Sequence, residues 1–88
     1  MSIKSMSPKL YNALLAEVQT IEVADKSFVR RLLRAVNSGG SELQSETLFN
    51  AVQGRAIQTP KGTLTGLCQV YSVQYGGYIY APQYTKVD

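Results

Sequence analysis

Ser41 to Val73, SELQSETLFNAVQGRAIQTPKGTLTGLCQVYSV, is the stretch whose reading decides the fold of this 88-residue chain. A helix can start at Ser41 or Ser45, because a serine hydroxyl accepts a hydrogen bond from the open N–H groups of a first turn, and Gln44 follows Ser41 by three residues. Gly54 stops that helix, since a glycine past the last helical residue takes the left-handed conformation without a Cβ penalty, and Arg55 to Gln58 read as loop. Thr59-Pro60 then reads as a second start, a cap followed by the residue whose missing N–H costs nothing there. Behind it Leu64, Leu67, Cys68 and Tyr71 fall at i, i+3, i+4 and i+7, one apolar helical face with Val73 beyond.

A strand over the same residues is the alternative, because Gly62, Gly66 and the neighbouring threonines weaken a helix. Gly76-Gly77 is a hairpin turn signal, and a two-residue turn there would set Tyr75 opposite Tyr78, Val73 opposite Tyr80 and Tyr71 opposite Pro82.

Toward the N-terminus two more helices are expected. Ser7-Pro8 opens one that runs to about Glu22, with Leu10, Leu14, Val18 and Ile21 on one stripe and Tyr11 and Leu15 beside it. Asp25 caps the next, where its charge also favours the positive end of the helix dipole. Phe28, Val29, Leu32, Leu33 and Val36 form the apolar face of that helix. Lys26, Arg30, Arg34 and Asn37 lie at i, i+4, i+8 and i+11 on another, with Arg31 flanking the row. Asn37-Ser38-Gly39-Gly40-Ser41 is a stop and turn signal.

The order Thr47-Leu48, Gly54-Arg55, Pro60 and then Leu64, Leu67, Cys68, Tyr71 and Val73 resembles the third and fourth helices of lambdoid-phage-repressor-type helix-turn-helix domains. The resemblance covers residues 41–73. It implies a mainly α domain of four to five helices with a short C-terminal β segment, in which the helix after Gly40 reads DNA. It places base contacts on Gln44, Ser45, Glu46 and Asn50 and a backbone contact on Arg55. Phe49 departs from it, standing where that family usually has a polar residue, and is expected to cover a longer first helix or meet a thymine methyl. The connection at 37–41 is also longer than the tight turn of the family. The alternative with a strand after Pro60, three helices and a β-hairpin, would be a winged helix.

Charge agrees with a polyanionic partner. The net charge is +3, and between Lys26 and Lys61 six cations (Lys26, Arg30, Arg31, Arg34, Arg55, Lys61) face only Glu42 and Glu46. These six are the candidate phosphate contacts. Histidine is absent and Cys68 is the one thiol, which removes His-based acid/base chemistry and the usual zinc sites. Neither an enzyme nor a cofactor is expected, and Cys68 reads as an inert thiol on an apolar helical face.

One domain spans 1–88, with a loose arm at 1–6 and a Tyr-rich β tail at 74–88. A chain this short is near the size at which a second subunit supplies burial, so a homodimer is expected. Tyr78, Ile79, Tyr80 and Tyr84 are its candidate contact, since a lone strand must pair with something. No segment has the apolar length of a membrane span and the opening MSIKSMSPK lacks the run of a secretory signal, so a cytoplasmic protein is expected.

The leading expectation is sequence-specific binding of double-stranded DNA by a small phage- or plasmid-type transcriptional repressor acting as a dimer. The alternative is a small protein-binding inhibitor or adaptor that uses the Tyr-rich tail or an apolar helix face. A third is single-stranded nucleic-acid binding with tyrosines as stacking platforms.

Overall fold

The computed structural model describes residues 7–37 and 42–85, with the backbone alone for 42–44. The expected arm at 1–6, the turn at 38–41 and the end at 86–88 lie outside the described residues. The order is α1 (Pro8–Thr20), α2 (Lys26–Asn37), α3 (Glu42–Val52), β1 (Ile57–Thr59), β2 (Gly62–Ser72) and β3 (Gly77–Thr85). The strands form one antiparallel sheet in the order β1-β2-β3.

Three helices and a three-stranded sheet overturn the mainly α, four-to-five-helix domain. The expected fourth helix is β2. Its apolar residues mimic a helical period because β2 carries an irregularity: Leu64 pairs with Tyr84 but Gly66 with Gln83, so Thr65 is an extra residue in the ladder. Alternation alone would put Leu64 and Leu67 on opposite faces, and one inserted residue brings both to the core. Leu64 is fully buried and Leu67 nearly so.

Thr59-Pro60 is a turn and not a helix start. The Thr59 hydroxyl accepts from the Lys61 N–H at 3.2 Å and donates to the Gly62 carbonyl at 2.8 Å, closing a two-residue connection between β1 and β2. The hairpin of the strand alternative is also differently closed. Val73 to Gly76 make a four-residue turn in which Gly76, at φ +69°, donates its N–H to the Ser72 carbonyl at 2.9 Å. Tyr71 therefore faces Tyr78, with the rings edge to face at 5.5 Å, and Gln69 faces Tyr80.

The helix starts follow their caps. Ser7 Oγ accepts from the Leu10 N–H at 3.3 Å ahead of Pro8, and Asp25 Oδ1 accepts from the Phe28 N–H at 2.8 Å. Gly54 is left-handed at φ +81°, as a glycine stop requires.

The core gathers Leu14 and Val18 from α1, Phe28, Leu32 and Val36 from α2, Leu48 and Val52 from α3, and Ile57, Leu64 and Leu67 from the sheet. Side chains of this size each contribute roughly 1.5–3 kcal/mol on burial. Phe49 packs toward the sheet. It is half-buried against Tyr80, ring centroids 5.0 Å apart.

At Gln58, Tyr80 and Leu67 the open edges of the sheet are met by another element. The connector between α1 and α2 runs beside β1, where the Ala24 N–H donates to the Gln58 carbonyl at 2.8 Å and the Gln58 N–H to the Glu22 carbonyl at 3.4 Å. On β3 the Asn37 side chain bonds both backbone groups of Tyr80. On β2, beyond the reach of β1, Gln53 Nε2 donates to the Leu67 carbonyl at 3.2 Å. Past these ties the hairpin emerges from the body, and Val70, Tyr71, Val73, Tyr75 and Tyr78 are exposed there.

Candidate functional site

The pairing of Gln58 with the α1–α2 connector decides where the cations meet. Because residues 22–24 lie along β1, the first turn of α2 stands next to the β1–β2 turn. Lys26 and Arg30 from α2 and Lys61 from that turn thereby line one open cleft of about 230 Å³. Val29, Leu33, Pro60, Pro82 and Tyr84 supply its apolar surface. Asp25 is the one acid on the wall, and its Oδ1 is held by the Phe28 N–H as the helix cap.

Lys26, Arg30 and Lys61 are exposed, and among the described residues none of the three is in an ion pair. Three cations around one opening against one carboxylate make it a place where an anion loses little solvation and gains several partners. Burial raises the Tyr84 phenol above its ordinary value of 10.0, so the phenol on the wall is neutral over the physiological range.

The six expected phosphate contacts separate in space. Arg34 continues the exposed ridge of Lys26 and Arg30 along α2. Arg31 points to the other side of the helix, where its guanidinium meets the Glu17 carboxylate of α1 at 3.3 and 3.4 Å. Both partners are over a third exposed, so that pair contributes about 0–1 kcal/mol. Arg55 is half-buried just after Gly54, its N–H donating to the Val52 carbonyl at 3.1 Å.

Of the expected base contacts, Glu46 and Asn50 are exposed on α3 and Ser45 is half-buried. Gln44 lies in the first turn of α3, and its side chain is outside the described residues. Among the described side chains α3 carries no cation, so the positive charge and the expected reading surface belong to different elements.

The tail pairs within its own chain. β3 lies against β2 from Gly77 to Thr85, which removes the need for a second subunit's strand. Of the expected dimer residues, Tyr78 is exposed and Ile79 half-buried, while Tyr80 packs on Phe49 and Tyr84 lines the cleft. Cys68 lies half-buried on β2, opposite Ala81, and not on a helix.

Sequence reasoning missed the apolar half of the cleft, Pro60, Pro82 and Tyr84. Nothing local joins them to Lys26, because their meeting depends on β1 accepting the connector along its edge. Among the described residues no helix is long and apolar enough to cross a membrane. No protein-family model, curated protein or solved structure matches the chain.

Proposed function

We propose that the chain binds double-stranded DNA, as a small repressor of the phage or plasmid kind would, and does so as a homodimer. The observation that carries this reading is the cleft, where Lys26 and Arg30 meet Lys61 from a segment 35 positions away and Arg34 extends the ridge. Such a row neutralises successive phosphates without reading sequence. Readout falls to α3, whose exposed Glu46 and Asn50 suit contacts to cytosine and adenine edges. Of the resemblance over residues 41–73, the part on α3 and the Gly54-Arg55 that follows it supports the same assignment, while the part from Pro60 to Val73, matched to a helix, is turn and β2.

The dimer contact falls on the emergent hairpin. From Gly62 to Thr85 the chain has no charged side chain, so two copies of net charge +3 meet there without bringing like charges together. Tyr78 and Ile79 belong to this contact; Tyr80 and Tyr84 are engaged inside the chain. The same exposed tyrosines favour a second reading, a protein-binding module whose partner covers the hairpin.

A mobility shift with random duplex over a range of salt tests the first reading, with selection from a random library for sequence preference. Binding that weakens steeply with salt and a selected consensus are expected. Absence of binding at low salt overturns DNA recognition and leaves the second reading.

A further inference from the structure

We infer that the cleft between α2 and the β1–β2 turn is a pocket for a single nucleoside phosphate, with its phosphate on Lys26, Arg30 and Lys61 and its base on the apolar surface between them. This rests on the anion-binding reading of these cations but not on duplex recognition.

The size of the cleft is the first argument. At about 230 Å³ and open to solvent, it is smaller than the roughly 300–1,000 Å³ of pockets that enclose a drug-sized molecule, so it covers at most one nucleotide unit, part of which stays in water, and not a dinucleotide. The second argument is the division of its lining. Pro60 and Pro82 line it with apolar surface and Tyr84 adds an aromatic ring, partners against which a planar base packs whatever its hydrogen-bonding pattern. A bare anion gains nothing from them, and a neutral aromatic ring gains from the three cations only a weak cation–π attraction.

Asp25 supplies the third argument. A carboxylate beside an anion is unfavourable unless the ligand also brings donors. Oδ1 takes the Phe28 N–H, and Oδ2 has no partner among the described residues. A sugar hydroxyl or an exocyclic amine answers that oxygen at a distance from the phosphate, whereas hydrogen phosphate can offer only its one P–OH and brings its own charge against the carboxylate in doing so. The combination of cations, apolar surface with one aromatic ring, and one acceptor is therefore met by a nucleotide better than by phosphate or by an uncharged nucleoside.

The chemistry is shared by a free nucleotide and by an unpaired nucleotide of a strand, and the test separates them. Isotope-labelled protein is titrated with adenosine monophosphate, adenosine and inorganic phosphate, with backbone amide resonances followed by NMR. Adenosine monophosphate is expected to shift Lys26, Arg30, Lys61 and Tyr84 together, with adenosine and phosphate each binding about tenfold more weakly. Lys61→Gln is expected to weaken the nucleotide about tenfold, and Tyr84→Phe to leave it bound where Tyr84→Ala does not. A single-stranded oligonucleotide that displaces the monophosphate identifies a strand as the source, and failure to displace it identifies the free nucleotide.

Shifts spread over all basic residues, or equal affinity for phosphate and the monophosphate, would overturn the pocket. Duplex binding is measured on the same samples. A chain that binds duplex but not the monophosphate loses this inference and keeps the DNA reading, and the converse result does the reverse.

Discussion

Asn37, the last residue of α2, holds both backbone groups of Tyr80 at the open edge of β3: its Nδ2 donates to the Tyr80 carbonyl at 2.8 Å, and its Oδ1 accepts from the Tyr80 N–H at 2.7 Å. An edge strand shows such groups to any passing strand, and one side-chain amide here answers both. Two residues on, Pro82 has the same outward sense, so its missing N–H costs the ladder no bond.

Asn37→Ala removes both bonds and is expected to lower stability by about 1–3 kcal/mol. Asn37→Asp keeps the shape but sets a carboxylate oxygen against the Tyr80 carbonyl, and is expected to be at least as damaging at neutral pH. Denaturant unfolding of the three proteins checks this, and an unchanged midpoint for Asn37→Ala would mean that water replaces the amide without loss.

Gln53 performs the same service for β2 and explains Gly66. A Cβ at Gly66 would run into Gln53 Oε1, so Gly66→Ala must push away the amide that bonds the Leu67 carbonyl. A loss of about 0.5–1.5 kcal/mol is expected. In a Gln53→Ala background the same substitution is expected to be neutral or slightly stabilising, because nothing then occupies the space and alanine is stiffer than glycine. The double-mutant cycle measures the difference, and additive effects would dissociate the two residues.

The helix caps were legible and the sheet was not, for a definable reason. Ser7-Pro8, Asp25 and Gly54 act within four residues of themselves, so their chemistry is written next to its consequence. Thr65 is different. Its insertion turns an alternating strand into the i, i+3 spacing of Leu64 and Leu67, and only the pairing with β3 reveals it. The cations of the cleft were visible as a charge excess, but their grouping apart from Arg31 needed the contact with Glu17 and the Gln58 pairing. Deleting Thr65 removes the irregularity and leaves Leu64 and Leu67 two apart on one face of a regular strand, whereas deleting Thr65 together with Gly66 makes them adjacent and forces one of them off the core face. Losing one such leucine costs about 2–5 kcal/mol, a large share of the roughly 5–15 kcal/mol that holds a domain together. Circular dichroism and thermal melting should show a destabilised or unfolded protein for the double deletion, whereas the Thr65 deletion alone should melt much closer to the parent.

Charge removal separates the ridge from the ion pair. Arg30→Ala with Arg34→Ala is expected to weaken duplex binding about equally for all sequences and to flatten its salt dependence by up to about two phosphate equivalents. Arg31→Ala, whose guanidinium is held by Glu17, is expected to change the salt dependence less and to lower stability by at most about 1 kcal/mol. Equal salt slopes for the double variant and the parent would make the ridge a merely solvated face.

Tyr84 gives the cleft wall a pH signature. Its phenol is raised above 10.0 by burial, which disfavours the phenolate in the folded chain. The unfolded chain ionises the same group at its ordinary value, so above that pH the unfolded state binds fewer protons than the folded one. Stability falls with rising pH wherever that is true. The contribution of Tyr84 is therefore complete below pH 10.0 and is lost as pH rises through the folded value. Tyr84→Phe removes the titration and keeps the ring. Lysines and other tyrosines titrate in the same range, so the informative quantity is the difference between the two proteins. Urea midpoints measured on both sides of pH 10.0 should converge, or cross in favour of the variant, as the solution becomes more alkaline. A constant difference would show that the Tyr84 phenol ionises as freely in the fold as out of it, with water rather than apolar surface around its oxygen.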